Sequence, residues 1–267
     1  FDRENLGITG LEAGFSAREY GGVRSEAIRT TFKPPHNPGE LEYKFHTKLS
    51  RESLFPANNH SRNEEIPETG ELNTFLLELS GGFRPRENYQ ISWDIWNEQP
   101  WLELESDFSY VRWQGTLGQI LHVGHRKLFQ LDIIHGNTTG TTPLQKKFQL
   151  GSPSVLRGYP QHTVLSDERL LASRIDYKFP IVTAPLWGIV SAFKIQGTVF
   201  YDQGKIWSKY NSYEKAKHRQ NAGLGIEWTV DTASLFQVPL KLEVAYPIND
   251  SEYQKPQFIF LGVLTGS

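Results

Sequence analysis

Glu40-Leu41-Glu42-Tyr43-Lys44-Phe45-His46-Thr47-Lys48-Leu49 alternates without a break. Its odd positions carry Leu41, Tyr43, Phe45, Thr47 and Leu49, its even positions Glu40, Glu42, Lys44, His46 and Lys48. Successive side chains of an extended chain point to opposite faces, so this stretch is a strand with one apolar face and one charged or polar face. Working outward, the period recurs where Leu102, Leu104, Phe108 and Tyr110 oppose Glu103, Glu105, Asp107 and Ser109. It recurs where Ile175, Tyr177, Phe179 and Ile181 oppose Arg174, Asp176 and Lys178, and where Leu240, Leu242, Val244 and Tyr246 oppose Lys241, Glu243 and Ala245. No segment holds a helical apolar stripe over three turns, so the chain is all-β.

Twelve strands are expected, near residues 5–16, 23–33, 39–50, 71–83, 88–103, 107–121, 127–136, 168–180, 189–202, 218–230, 238–247 and 257–264. Their connections alternate in length. Those near 34–38, 84–87, 122–126, 181–188 and 231–237 are short. Those near 51–70, 137–167, 203–217 and 248–256 are long, with 17–22 and 104–106 as brief members of the long class. Long loops on one side and short turns on the other mark an antiparallel transmembrane β-barrel of the outer-membrane type, and an even strand number puts both ends on the short-turn side. A soluble β-sandwich alternates in the same way and stays open as an alternative. Two features favour the barrel. Several strands alternate for ~10 residues, enough to cross hydrocarbon at a tilt, whereas sandwich strands usually run ~5–6. Trp101, Trp113, Trp187, Trp207 and Trp228 sit toward strand ends or turns, where amphipathic rings meet lipid headgroups, although Trp93 and Trp96 fall within a strand.

Composition excludes other classes. The 267 residues carry 28 basic and 30 acidic side chains, a formal net charge of −2, so no broadly basic nucleic-acid-binding surface is expected. Cysteine is absent, which removes disulfides, thiolate zinc sites and cysteine nucleophiles. No apolar run approaches the ~18 residues of a membrane-spanning helix. There is no nucleophile elbow, Walker loop or HExxH. His122 and His125 project to different sides of a strand or turn and read as solvated rather than as a metal pair. His60 with Glu64, Glu65 and Glu68 reads as an acidic surface loop, with weak Ca²⁺ binding a remote option. Glu103 and Glu105 read as solvating acids on one strand face. No catalytic residue, metal or cofactor is expected. Lys205, Lys209, Lys215, Lys217, His218 and Arg219 make a basic outer loop suited to anionic lipopolysaccharide. The opening Phe1-Asp2-Arg3-Glu4 has neither an initiator Met nor a signal segment. The expectation is a C-terminal part of a longer protein in which residues 1–267 form one barrel domain.

Inside the longest loop lies Leu150-Gly151-Ser152-Pro153-Ser154-Val155-Leu156-Arg157-Gly158-Tyr159-Pro160, led in by Pro143-Leu144-Gln145-Lys146-Lys147-Phe148. The run resembles the LGGxxx(V/L)RG(F/Y) signature of the Omp85 superfamily, the BamA-like and TamA-like surface-antigen barrels, with Ser152 in place of the second Gly. Downstream, Ile175-Asp176-Tyr177-Lys178-Phe179-Pro180 resembles the family's strand after this loop. Phe200-Tyr201-Asp202-Gln203-Gly204-Lys205-Ile206-Trp207 is similar to its FxDxGxxW strand. Asn221-Ala222-Gly223-Leu224-Gly225-Ile226-Glu227-Trp228 is similar to the GxG(L/V)R strand, with Ile226-Glu227 where an Arg is common. Leu240 to Ile248 is similar to the penultimate strand, LR(L/I)DxAxP(L/I). Phe258-Ile259-Phe260-Leu261-Gly262 resembles the last strand, although the C-terminal aromatic common in such barrels is missing after it. Order and spacing agree over residues 143–262, while residues 1–142 carry only the barrel pattern.

The resemblance implies a loop tucked into the barrel lumen, in a barrel that usually has sixteen strands. Strand parity then supplies partners, because Asp176 shares a face with Arg174 and Lys178, and Asp202 with Lys194, Gln196 and Thr198. Both acids should face the lumen, and a guanidinium can bridge two of them. The expected constellation is Leu156, Arg157, Gly158 and Tyr159 on the loop, Asp176 and Asp202 as partners of Arg157, and Phe200, Gly204 and Trp207 in the supporting strand. Gly158 is expected to allow a sharp turn, and Tyr159 to pack on the wall. The resemblance implies a bacterial outer-membrane barrel that assembles outer-membrane proteins or passes polypeptide chains, with outer-membrane lipid, lipopolysaccharide, polypeptide substrates and periplasmic assembly factors as partners. An alternative is a barrel that anchors or exports an N-terminal hydrolase, patatin-like or metallopeptidase.

Overall fold

The structure, a computed structural model, describes residues 11–20, 23–33, 42–54, 69–101, 106–124, 126–160, 166–185, 190–232, 236–248, 250–262 and 265–266. Twelve long strands form one antiparallel sheet in chain order. They are β1 (Leu11–Tyr20), β2 (Val23–Phe32), β3 (Glu42–Leu54), β4 (Gly70–Arg86), β5 (Tyr89–Pro100) and β6 (Tyr110–His122). Then come β7 (Leu128–Gly140), β8 (Arg169–Pro185), β9 (Val190–Trp207), β10 (Arg219–Thr232), β11 (Phe236–Ile248) and β12 (Gln257–Gly262). Each pairs with its chain neighbour, and Thr265–Gly266 pairs back onto Phe236–Gln237 of β11. Among the described residues there is no α-helix. A single sheet in strict chain order has the topology of an up-and-down barrel rather than of two stacked sheets, so the sandwich alternative falls away.

The strands explain themselves by the alternation that predicts them, with instructive departures. β1 is shifted: its ladder runs from Leu11↔Phe32 to Tyr20↔Val23. Residues Ala17–Tyr20, expected as part of a loop over 17–22, are therefore inside the sheet, because paired backbone groups outweigh weak side-chain preferences. β6 begins only at Tyr110, and Phe108 before it packs on the buried Leu54, Leu72 and Tyr110. β4, β8 and β9 run to 17, 17 and 18 residues, longer than expected. Leu102, Glu103, Leu104, Glu105, His125, Trp187, and the acidic group His60, Glu64, Glu65 and Glu68 lie outside the described residues.

Burial is inverted relative to a water-soluble domain. Ile28, Ile95, Leu224 and Phe258 are 59%, 50%, 64% and 72% exposed, while Glu52, Asp202 and Asn221 are fully buried. The exposed apolar residues share one strand parity, as in Ile175 and Ile181 of β8 or Leu242, Val244 and Tyr246 of β11. Asp176, Asp202 and Glu243, on the opposite parity, face inward and are buried. A continuous apolar exterior is what hydrocarbon requires of a barrel wall.

The core lies in the lumen and is built largely by one loop, residues 141–168. Phe148, Leu150, Val155, Leu156 and Tyr159 of the loop cluster with Ile134, Leu170 and Ala172 of the wall. Lys146 of the same loop reaches Glu52 on β3 and Glu98 on β5, while Arg157 reaches Asp176 on β8 and Glu243 on β11. A single loop can touch strands this far apart in the order only if the sheet curls around it.

Candidate functional site

The Arg157 side chain is fully buried among carboxylates, and its five N–H groups make five hydrogen bonds. Nε donates to Asp202 Oδ2 at 2.9 Å, and Nη2 donates to Asp202 Oδ1 and to Asp176 Oδ1 at 2.5 Å each. Nη1 donates to Asp176 Oδ2 at 3.3 Å and to Glu243 Oε1 at 3.1 Å. The Arg157 amide adds a bond to Asp202 Oδ2 at 3.2 Å. One face of the guanidinium lies 3.6 Å from the centre of the Phe200 ring, so the apolar face of the cation is covered as well.

The register of β8, β9, β10 and β11 assembles this cage. Arg174 pairs with Asp202, and Asp176 with Phe200, so the two acids are diagonal neighbours on the inner face. Across the next ladder Asp202 pairs with Asn221, whose Nδ2 donates to Asp202 Oδ2 at 2.9 Å. Three carboxylates together would repel, but three cations face them. Arg174 lies 3.8 Å from Asp202 and Lys241 2.8 Å from Glu243, beside Arg157 itself. The cluster is balanced, which is the condition for keeping buried charge.

Missing side chains matter as much as present ones. A Cβ at Gly223 would lie 2.3 Å from the Phe200 ring, and one at Gly225 2.9 Å from Glu243. The bare inner wall of β10 thus lets Phe200 slide beneath the guanidinium and Glu243 lean toward it. A Cβ at Gly204 would lie 2.9 Å from both Leu150 and Leu156, so this glycine makes room for the loop's apolar side chains. Gly158 differs from expectation. Its backbone is not left-handed, the two described glycines with positive φ being Gly124 and Gly140. It is needed for space, since its Cβ would lie 2.5 Å from that of Asn221, where the loop backbone rests on β10.

Of the residues singled out in sequence, the structure brings together Leu156, Arg157, Gly158, Asp176, Phe200, Asp202 and Gly204. Tyr159 is buried beside them, its hydroxyl donating to the Gln220 carbonyl at 3.3 Å and its ring edge-on to Tyr253. Trp207 stands apart, packed edge-on against Tyr213 at the end of β9. Ser152 uses its hydroxyl to accept from the Val155 amide at 3.2 Å, tightening the turn before Arg157. Sequence reasoning passed over Glu243 and Asn221, although Glu243 occupies the acid position of the penultimate-strand motif. It also passed over Lys146, Glu52 and Glu98, two of which lie before residue 143, where no motif could flag them. Trp96 turns out to face the lumen, 6.3 Å from the Phe148 ring.

With every guanidinium N–H engaged, the arrangement holds a loop in place and offers no free donor for proton transfer. On the short-turn side of the cluster the lumen opens into a polar cavity of about 320 Å³, lined in part by Lys44, Ser80, Gln90, Asp94, Thr116 and Asp132. At the opposite rim the basic loop is tied to the barrel. Lys209 pairs with Glu168, Lys217 and Arg219 pair with Asp250, and Lys205 contacts the Tyr213 carbonyl, while Lys215 and His218 are exposed. His122 is exposed at the turn after β6.

The profile of the Omp85 superfamily domain matches residues 13–263. Among solved structures, the crystal structure of BamA from Haemophilus ducreyi lacking POTRA domains 1–3 superposes with a TM-score of 0.61 at 13% sequence identity. The likeness covers 96% of this chain and 58% of that one, and at such low identity it speaks to the fold alone. No curated protein matches in sequence.

Proposed function

This chain belongs to the Omp85 superfamily, and from that premise we propose that it is an outer-membrane β-barrel, residues 1–267 forming one domain, that assembles outer-membrane proteins or passes polypeptide chains. The observation that carries this reading is the lumen loop held by Arg157 on Asp176, Asp202 and Glu243. A loop seated in this way keeps the lumen closed at rest, which a conduit or assembly platform needs. The cavity on the short-turn side, about 320 Å³, has room for a few residues of an extended polypeptide. The exposure of Lys215 and His218 at the other rim supports contact with anionic lipopolysaccharide as part of this reading. The barrel itself contributes no catalytic step.

A second reading, an anchor or exporter for a fused hydrolase, draws on the strand count, twelve in the described sheet against the family's usual sixteen. Reconstitution separates the two. The purified chain is inserted into lipid vesicles, and the folding of an unfolded outer-membrane barrel protein into the same vesicles is followed. Acceleration over empty vesicles is the expected result. Stable insertion of the chain without acceleration would overturn the assembly role and leave the anchoring one.

A further inference from the structure

The lead-in to the Arg157 loop carries its own buried cation, on the other side of the lumen. Lys146 ends a single 3₁₀ turn, Leu144–Lys146, and is 4% exposed. Its Nζ pairs with Glu52 of β3 and, at 3.2 Å, with Glu98 of β5. Both carboxylates are held ready for it. Glu52 accepts from Ser25 at 3.4 Å and Ser50 at 3.3 Å, with Lys48 3.5 Å away. Glu98 accepts from the Tyr110 hydroxyl at 2.7 Å, with Arg112 at 4.0 Å. Two residues beyond Lys146, the Phe148 ring lies 4.7 Å from the Arg112 guanidinium and fills the space a Cβ at Gly136 would occupy. Without a cation between them, two buried carboxylates would be left short of compensation. Lys48 at 3.5 Å and Arg112 at 4.0 Å compensate them in part, and the pairing is completed when the loop is seated.

We infer that the lumen loop is a transverse strut fastened at both ends, with Lys146 gripping the wall of β3 and β5 and Arg157 gripping that of β8, β9 and β11. Lys146 is a positioning residue. It closes the lumen and ties the two halves of the sheet to each other, so neither half moves freely while both clusters hold. The Lys146 end is the one that releases first. An ammonium is a point charge on a flexible stem with two acid partners here, whereas the planar guanidinium engages all five donors. The inference goes beyond the assembly reading and requires only that the chain is a membrane barrel.

The test uses the full chain refolded into planar bilayers and vesicles, comparing single-channel conductance and protease cleavage within residues 141–149 for wild type, Lys146→Gln and Lys146→Arg. Lys146→Gln should raise both several-fold while the unboiled protein keeps its folded gel mobility. Lys146→Arg should fall nearer to wild type. Folded Lys146→Gln with wild-type conductance and cleavage overturns the strut, and so does Lys146→Arg behaving as Lys146→Gln. If Lys146→Gln does not fold, Glu52→Gln, which leaves the Lys146–Glu98 pair, is read the same way: a partial rise supports the strut and wild-type behaviour overturns it. Failure of the wild-type chain to enter bilayers would strike the barrel reading instead, which keeps the two failures distinct.

Discussion

The hydrogen bonds of Arg157 cannot be reproduced by another side chain. Lysine supplies the charge but not the planar fork that meets Asp176 and Asp202 at once. Truncation to alanine strands three inward acids, of which Arg174 and Lys241 compensate only part, and the loss should be about 3–5 kcal/mol of barrel stability. We expect Arg157→Ala to lower the temperature at which the barrel loses its folded gel mobility and to speed proteolysis of the loop. Unchanged values for both would mean that the cluster is incidental. Arg157→Lys should fall between the two. The motif was legible in the sequence because its residues stand close together along the chain. The third acid was harder to see, since Glu243 follows Arg157 by 86 positions and approaches only because Gly225 leaves it space.

At the scale of elements, the loops after β9 and β11 are held together by Asp250, which pairs with Lys217 at 2.7 Å and Arg219 at 3.4 Å. Burial alone would raise the pKa of this carboxyl. Hydrogen bonds from Lys217 and the Glu252 amide, together with the charges of Lys217 and Arg219, outweigh burial and hold it below the usual carboxylate range. A group depressed in the folded state contributes its full stability above its unfolded pKa, about 3.9 for Asp, and loses it as pH falls through the lower folded value. The tie should therefore survive mild acid and fail only below about pH 4. Hydrogen exchange in residues 208–218, corrected for its intrinsic rate, checks this, and Asp250→Asn should show the loosened pattern already at neutral pH. Equal protection in Asp250→Asn and wild type would remove Asp250 from the account. Sequence reasoning saw a basic loop here. It could not see that an acid from a different loop neutralises part of it, because that pairing depends on how the long connections fold over the rim.

For the whole molecule the decisive property is the direction of its surfaces. Leu224 on β10 is 64% exposed, which in water would make it a tolerant position. If that face meets lipid, Leu224→Arg should cost about 2–4 kcal/mol when the position lies near the bilayer midplane, read by urea unfolding from vesicles. Glu227→Gln, on the opposite parity of the same strand, should cost much less. A harmless Leu224→Arg would be the signature of a water-facing wall and would contradict the membrane reading. The sheet also explains why a lumen loop can be stabilised at all. Small barrels fill their interior with side chains, and here part of that filling comes from the loop's own leucines and aromatics.

Residue order alone determined the strand periodicity, the twelve long strands seen among the described residues, the alternation of short and long connections, and the chemistry of the loop with its two nearest acids. These are local or periodic properties, written into spacing. Only the tertiary structure decided that Glu243 and Asn221 complete the cage, that Gly158 serves close contact rather than a turn, and that Lys146 meets Glu52 and Glu98 across the lumen. Curling the sheet brings together residues separated by dozens of positions, and no spacing rule along the chain encodes which inward side chains then share one interior.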